Sequence, residues 1–205
     1  MGELAKEIKN LLYNKVITKD NITKYRKPLV GFVEASHPGF LELRKVVTPN
    51  HLLPQQILSE AKTVIAFFIP FTQEIIKQNR EGSQVAASWA EAYVETNYLI
   101  GKLCQSMHDF LAEKGYKTAC LPATHNFDAT TLESLWSHRS VAYLAGMGSF
   151  GINHMLITSA GCAGRFGSVV TSAELLTSKG ENKEYCFYRK TGTCTYCVDN
   201  CPTGA

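Results

Sequence analysis

Three cysteines crowd into the run Cys194-Thr-Tyr-Cys197-Val-Asp-Asn-Cys201-Pro202. The spacing is C-x2-C-x3-C-P, which matches three of the four ligands in the ferredoxin-type run C-x2-C-x2-C-x3-C-P. Thiols held this close in a tight turn can aim at one soft centre, and the iron of a sulfide cluster takes thiolate ligands. The Cys-Pro step turns the backbone away and helps to exclude water. Thr191 stands where the first cysteine of the standard run would be, and Cys186 lies close upstream to supply that ligand through a longer loop. The candidate ligands of a 4Fe-4S cluster are therefore Cys186, Cys194, Cys197 and Cys201. In two-cluster modules the cysteine before the proline serves the other cluster, so Cys201 is the one a single cluster would leave over. The sequence stops at Ala205 with no further cysteine group, which reads as a truncated module. Four thiolates also suit zinc.

The remaining cysteines are 104, 120 and 162, an odd seven in all. A disulfide scaffold would spread its cysteines through a short secreted chain, so metal ligation suits the C-terminal four better. Cys104 falls in a helical apolar stripe and Cys120 beside a strand, where both read as small buried hydrophobes. Cys162 lies between glycines. A chain of 205 residues with 45% hydrophobic content can bury one sizeable core. The net charge of +3 is too weak to argue for nucleic acid. There is no apolar run near the ~20 residues of a membrane span, and Glu3 and Glu7 break any signal-peptide core. A cytoplasmic location is expected.

Hydrophobic periodicity predicts helices over 3–16, 40–47, from Pro54 to Ala61, over 85–114 with Gly115 as the stop, and over 130–145. Strands are expected over 28–33, 63–69, 117–121, 155–158 and 166–171. The apolar run Thr63–Ile69 belongs inside a sheet covered on both faces. The polar residues 71–83 read as a loop, and 174–192 as a boundary. The sum is an α/β sandwich over 1–173 and a small, incomplete ferredoxin-type iron–sulfur appendage over 174–205.

Gly146-Met-Gly148-Ser-Phe-Gly151 has the letters of a dinucleotide fingerprint, G-x-G-x-x-G. That fingerprint needs a strand before and a helix after. Here the order is reversed, which argues against a dinucleotide site. The glycines still permit close backbone approach to a ligand. A second turn, Gly161-Cys-Ala-Gly164-Arg165-Phe-Gly167, has the same character and adds a cation. A concave cofactor site is expected from Gly146, Gly148, Gly151, Asn153, Gly164 and Arg165, with the 122–128 loop on its rim. The bland alternative is a pair of tight turns at strand ends.

The segments Leu53-Pro54…Ala61-Lys62-Thr63-Val64-Ile65, Arg139…Ala145-Gly146-Met-Gly148-Ser-Phe-Gly151-Ile-Asn153…Leu156-Ile157-Thr158 and Cys194-Thr-Tyr-Cys197-Val-Asp-Asn-Cys201-Pro202-Thr-Gly-Ala resemble, in that order, stretches of the epoxyqueuosine reductases. The resemblance implies a corrinoid-binding α/β domain with a nitroreductase-like fold, followed by a ferredoxin module that feeds electrons to cobalt. It also implies cobalamin held without a protein ligand to the metal, with a flavin as the alternative cofactor. Reductive dehalogenases share the plan. Three departures stand out. The family's catalytic Asp falls on Leu132, its Lys after the third glycine falls on Ile152, and its tRNA-holding repeats are not in this sequence. These imply a relative with another substrate, a small molecule or a redox partner protein, and the tRNA reaction is not carried over.

Among polar residues, His125 follows a strand end, where α/β sheets place ligands. A histidine can donate a proton near neutral pH. His125 is thus the candidate proton donor and Arg139 the candidate catalytic cation, with His138, Asn153 and His154 beside the glycine turn. The expectation is an iron–sulfur redox enzyme, with a non-catalytic electron carrier and a zinc protein as alternatives.

Overall fold

The eight residues of β2 (Thr63–Pro70) are all buried, and their position explains the rest of the architecture. The computed structural model describes residues 2–18, 20–82, 84–124, 127–131, 133–177 and 183–201. In it β2 lies inside a four-stranded sheet, flanked by β1 (Leu29–Glu34) and β6 (Gly164–Thr171), with β3 (Thr118–Cys120) on the outer side of β6. Every pairing is antiparallel, with Phe67 of β2 opposite Val30 and Gly167.

Alternate residues of β2 feed two cores, as the strand period of two requires. Ile65, Phe67 and Ile69 face Ile8 and Leu12 of α1 (Glu3–Val16), Ile75 of α4 (Gln73–Glu81), and Ile100, Leu103 and Met107 of α5 (Ala87–Glu113). Val64, Ala66 and Phe68 face Phe40 and Leu43 of α2 (Gly39–Val46), Trp136, and Val141 and Ala142 of α6 (His138–Leu144), with Ile57 of α3 (Pro54–Ile57) packed against them. The protein is thus mixed α/β, with helices on both faces of an antiparallel sheet. A fully buried Phe contributes about 1.5–3 kcal/mol, so Phe67 and Phe68 anchor one core each.

Two expectations are corrected. Residues 73–81 are a helix and not a loop. Thr72 caps it by accepting from the Ile75 N–H at 3.4 Å. Only Ile75 is buried, so its polar letters are the solvated face of a helix. The helix expected over 130–145 begins only at His138. Before it, Asp128 Oδ1 accepts from the N–H groups of Thr130 and Thr131, both at 2.8 Å. Such local bonds compete with helix formation.

Helix α6 leads into the hairpin β4 (Gly148–Phe150) and β5 (Leu156–Thr158). Two short helices, α7 (Phe187–Thr191) and α8 (Tyr196–Asp199), carry the cysteine segment. No helix among the described residues is long and apolar enough to cross a membrane.

Candidate functional site

A buried polar relay organises the centre of the second core. The indole N–H of Trp136 donates to Ser168 Oγ at 2.9 Å. Ser168 Oγ lies 2.8 Å from His138 Nδ1, and His138 Nε2 lies 3.1 Å from the Pro122 carbonyl. A carbonyl only accepts, so Nε2 carries the proton and Ser168 donates to Nδ1. Burial holds His138 below the ordinary histidine range, Arg165 adds to the effect, and the Pro122 carbonyl opposes it. Both ring nitrogens are engaged, so this histidine positions its neighbours and has no spare proton to transfer.

Beside the relay lies an open cavity of about 320 Å³, lined by Ala123, His138, Arg139, Met155, Gly164 and Arg165. Two cations thus border one space. Arg139 is placed by the first turn of α6, and its Nη1 donates to the His154 carbonyl at 3.2 Å. Arg165, at the start of β6, sits over the Tyr93 ring at 4.2 Å to the centroid, a cation–π contact that fixes it against α5. An arginine pair bordering a cavity is suited to phosphate or carboxylate oxygens.

The glycines divide between roles. Gly164 borders this cavity, and a Cβ there would lie 2.3 Å from the Ile69 carbonyl oxygen. Gly146 lines a different cavity. Gly148 is needed inside the hairpin, where a Cβ would lie 2.1 Å from the Ile157 carbonyl oxygen. A Cβ on Gly151 would lie 2.8 Å from Ile157 Cδ1. Asn153 Oδ1 accepts from the Met155 N–H at 3.1 Å, closing the hairpin loop. So the structure gathers Arg139, Gly164 and Arg165 with Ala123 of the 122–128 loop, and leaves Gly148, Gly151 and Asn153 to the hairpin. His125, the candidate proton donor, and Leu132 lie outside the described residues.

The cysteine segment docks on that hairpin. Glu184 Oε1 accepts from Ser149 Oγ at 2.9 Å and from the Cys186 N–H at 2.7 Å. Cys186 is buried, and the backbone N–H of Arg189, then that of Ile152, holds its thiol below the ordinary cysteine range. A thiol poised toward thiolate is what a metal ligand requires. Cys194 and Cys197 are exposed, and Cys201 is half-buried. Burial pushes the Cys162 thiol up. Among the described residues no three His, Cys, Asp or Glu side chains converge as a metal-holding group. The thiols have the right donor chemistry for an iron–sulfur cluster without being gathered around one.

A larger cavity, about 710 Å³, lies elsewhere, between α1 and β1, and is basic. Lys6, Lys9 and Lys27 line it together with Tyr13, Gly146 and Tyr185.

No family model matches the chain. Curated relatives do. The epoxyqueuosine reductase of Bacillus anthracis is 30% identical over a 213-position alignment that covers 91% of this chain and 52% of that protein. That of Lactococcus garvieae is 29% identical over a 216-position alignment that covers 100% of this chain and 57% of the relative. The chain is similar to the epoxyqueuosine reductases over nearly its whole length. It spans about half the length of the curated relatives it matches. Solved structures agree on the fold. An epoxyqueuosine reductase bound to an epoxyqueuosine-modified stem loop of tRNA-Tyr superimposes with a TM-score of 0.63 at 21% identity, covering 99% of this chain and 52% of that one. The Streptococcus thermophilus enzyme gives 0.63 at 18%, covering 99% and 53%.

The tRNA complex corrects the expectation, drawn from charge, that a nucleic acid partner is improbable for a chain of this kind. Net charge is an average over the surface. The structure concentrates lysines at one cavity and arginines at another, which an average of +3 conceals.

Proposed function

We propose that this chain is the iron–sulfur reductase portion of an epoxyqueuosine reductase-like enzyme and acts on a modified nucleoside presented by a tRNA stem loop. One observation carries the reading: the cysteine segment is hydrogen-bonded, through Glu184 and Ser149, to the hairpin whose far end meets Arg139 at the arginine-lined cavity. An electron-entry group and an anion-holding pocket thus share one hairpin. Arg139 and Arg165 would hold phosphate or another anionic oxygen of the nucleotide, and His138 with Ser168 would fix the wall between them. The proton donor in this reading is His125. The basic cavity at Lys6, Lys9 and Lys27 would meet the RNA backbone, because lysines supply affinity for phosphate without sequence preference. A cytoplasmic location, as expected from the sequence, accompanies this reading.

Cys186, Cys194 and Cys197 would hold the 4Fe-4S cluster, with Cys201 as the further thiolate. A bound cluster would supply single electrons at low potential. The corrinoid implied by the resemblance is a different matter. A cavity of about 320 Å³ stands at the lower end of the range for small ligands, roughly 300–1,000 Å³. It suits a nucleoside and is too small for a whole corrin ring with its side chains, so no step is routed through cobalt. The nitroreductase-like fold and the division at residue 174 belong to the same reading.

The test is anaerobic reconstitution with iron and sulfide, followed by metal analysis and incubation with a reductant and the modified stem loop. Bound iron, and a nucleoside that loses one oxygen, are the expected results. Cys197→Ser should abolish both. A protein that takes up zinc and no iron overturns the reading. Titration with cob(II)alamin, read by absorbance and paramagnetic resonance, separately decides the corrinoid.

A further inference from the structure

Helix α5 and strand β3 bring two cysteines and a histidine together at the edge of the sheet, remote in sequence from the cysteine segment. Cys104 and His108 are four residues apart on α5 and share one helix stripe. Thr118 and Cys120 are two apart on β3 and share one strand face. His108 Nδ1 meets Thr118 Oγ1 at 2.7 Å, which fixes the register between the two elements. From that contact, four helical residues advance about 6 Å and two strand residues about 6.6 Å. The nearly equal steps bring Cys104 opposite Cys120. Both thiols line one open cavity of about 280 Å³ with His108 and Gly101. Cys104 is buried and Cys120 is exposed, so the pair has one sheltered and one accessible member.

We propose that Cys104 and Cys120 form a redox-active dithiol that closes to a disulfide on reaction with a small hydroperoxide. The two thiols are electrostatically unequal: the interaction with Cys120 lowers the Cys104 pKa, while Cys120 is pushed far above the ordinary range. Cys104, which shares its helix stripe and the cavity with His108, is the attacking thiol. Its sulfur takes the distal peroxide oxygen, forming a sulfenic acid and releasing water or an alcohol. The Cys120 sulfur then attacks the Cys104 sulfur, its proton leaves with the sulfenic hydroxyl as water, and the S–S bond forms. The dithiol loses two electrons and the peroxide gains them.

The consequence reaches the candidate site. Strand β3 runs directly into Pro122, whose carbonyl takes the His138 bond, and Ala123, which lines the arginine cavity. Helix α5 carries Tyr93, which supports Arg165. The disulfide would staple these two supports of one cavity to each other.

The test uses the chain prepared anaerobically and treated with one equivalent of hydrogen peroxide. Free thiols are then blocked, and trypsin is applied. Cleavage after Lys102, Lys114, Lys117 and Arg139 puts the two cysteines on separate peptides, 103–114 and 118–139. The expected product is those two peptides joined, two hydrogens lighter than their sum, and separated again by dithiothreitol. In Cys120→Ser, an exposed position that should not disturb folding, Cys104 should instead be trapped by dimedone as a sulfenic acid. Three results overturn the proposal: both peptides recovered only with blocked thiols, either cysteine linked to one of the C-terminal four, or wild-type Cys104 carried past the sulfenic stage without any link.

Discussion

Acid should destabilise this protein well before its carboxylates are protonated. His51 and His138 are 0% and 7% exposed. The His51 ring lies 2.9 Å from the Leu52 carbonyl through Nδ1, and its Nε2 accepts from the Ser137 N–H at 3.1 Å. Burial lowers the pKa of each, with Arg44 and Arg165 adding repulsion and the Leu52 and Pro122 carbonyls opposing. Both imidazoles are therefore neutral in the fold at neutral pH. In the unfolded chain they titrate near ~6.5. Below that value the unfolded state binds two protons that the folded state does not. Stability is thus complete above about pH 6.5 and falls as the pH drops, until the folded imidazoles take up protons themselves. Each histidine costs up to about 1.4 kcal/mol per pH unit. At pH 5.5, one unit below the unfolded value, the cost of the pair has a ceiling of about 3 kcal/mol, set by the unfolded histidines alone, against the roughly 5–15 kcal/mol that holds a domain together. Urea unfolding at pH 7.5 and 5.5 at fixed ionic strength, followed by tryptophan fluorescence, measures it. His51→Gln should remove about half of the pH dependence. A wild-type stability that does not fall between pH 7.5 and pH 5.5 would refute the neutral buried pair.

Ser168→Ala removes both the acceptor of the Trp136 indole and the donor to His138 Nδ1, so unfolding free energy should fall by about 2–5 kcal/mol; a change within ~0.5 kcal/mol would show that the relay carries no stability. Two glycines should respond in opposite directions. Gly148→Ala forces a Cβ onto the Ile157 carbonyl and should cost about 1–3 kcal/mol, whereas Gly101→Ala, inside α5 with open space around it, should gain about 0.5–1 kcal/mol. Thermal melts of the two variants distinguish them, and equal shifts would contradict the packing described.

The fold was legible where burial wrote a strong period. The run over 63–69 could only be a strand covered on both faces, and the stripe over 85–114 only a long helix. Helix α4 was hidden because one buried residue, Ile75, cannot write a period. The region 130–137 misled in the other direction: its composition suits a helix, but Asp128 captures two backbone N–H groups and holds a turn. Neither outcome depends on letters that a period count can weigh.

The site was legible in part for a related reason. Sequence spacing finds residues that act from one turn, and the glycine motifs drew attention to themselves in that way. Gly148 serves hairpin packing instead, a close approach between strands that looks in sequence like one made for a ligand. The relay could not be read from spacing, since His138 and Ser168 are 30 residues apart and meet only because α6 packs on β6. One signal was present: Ser168 is a hydroxyl in the apolar strand Phe166–Val170, and a buried hydroxyl needs a partner. The same reasoning applies to Cys104 and Cys120, which read singly as small hydrophobes. Only the His108–Thr118 contact, by setting the register of helix against strand, turns them into a pair. For this chain, the informative polar residues are those at positions where the hydrophobic pattern alone would have placed a carbon.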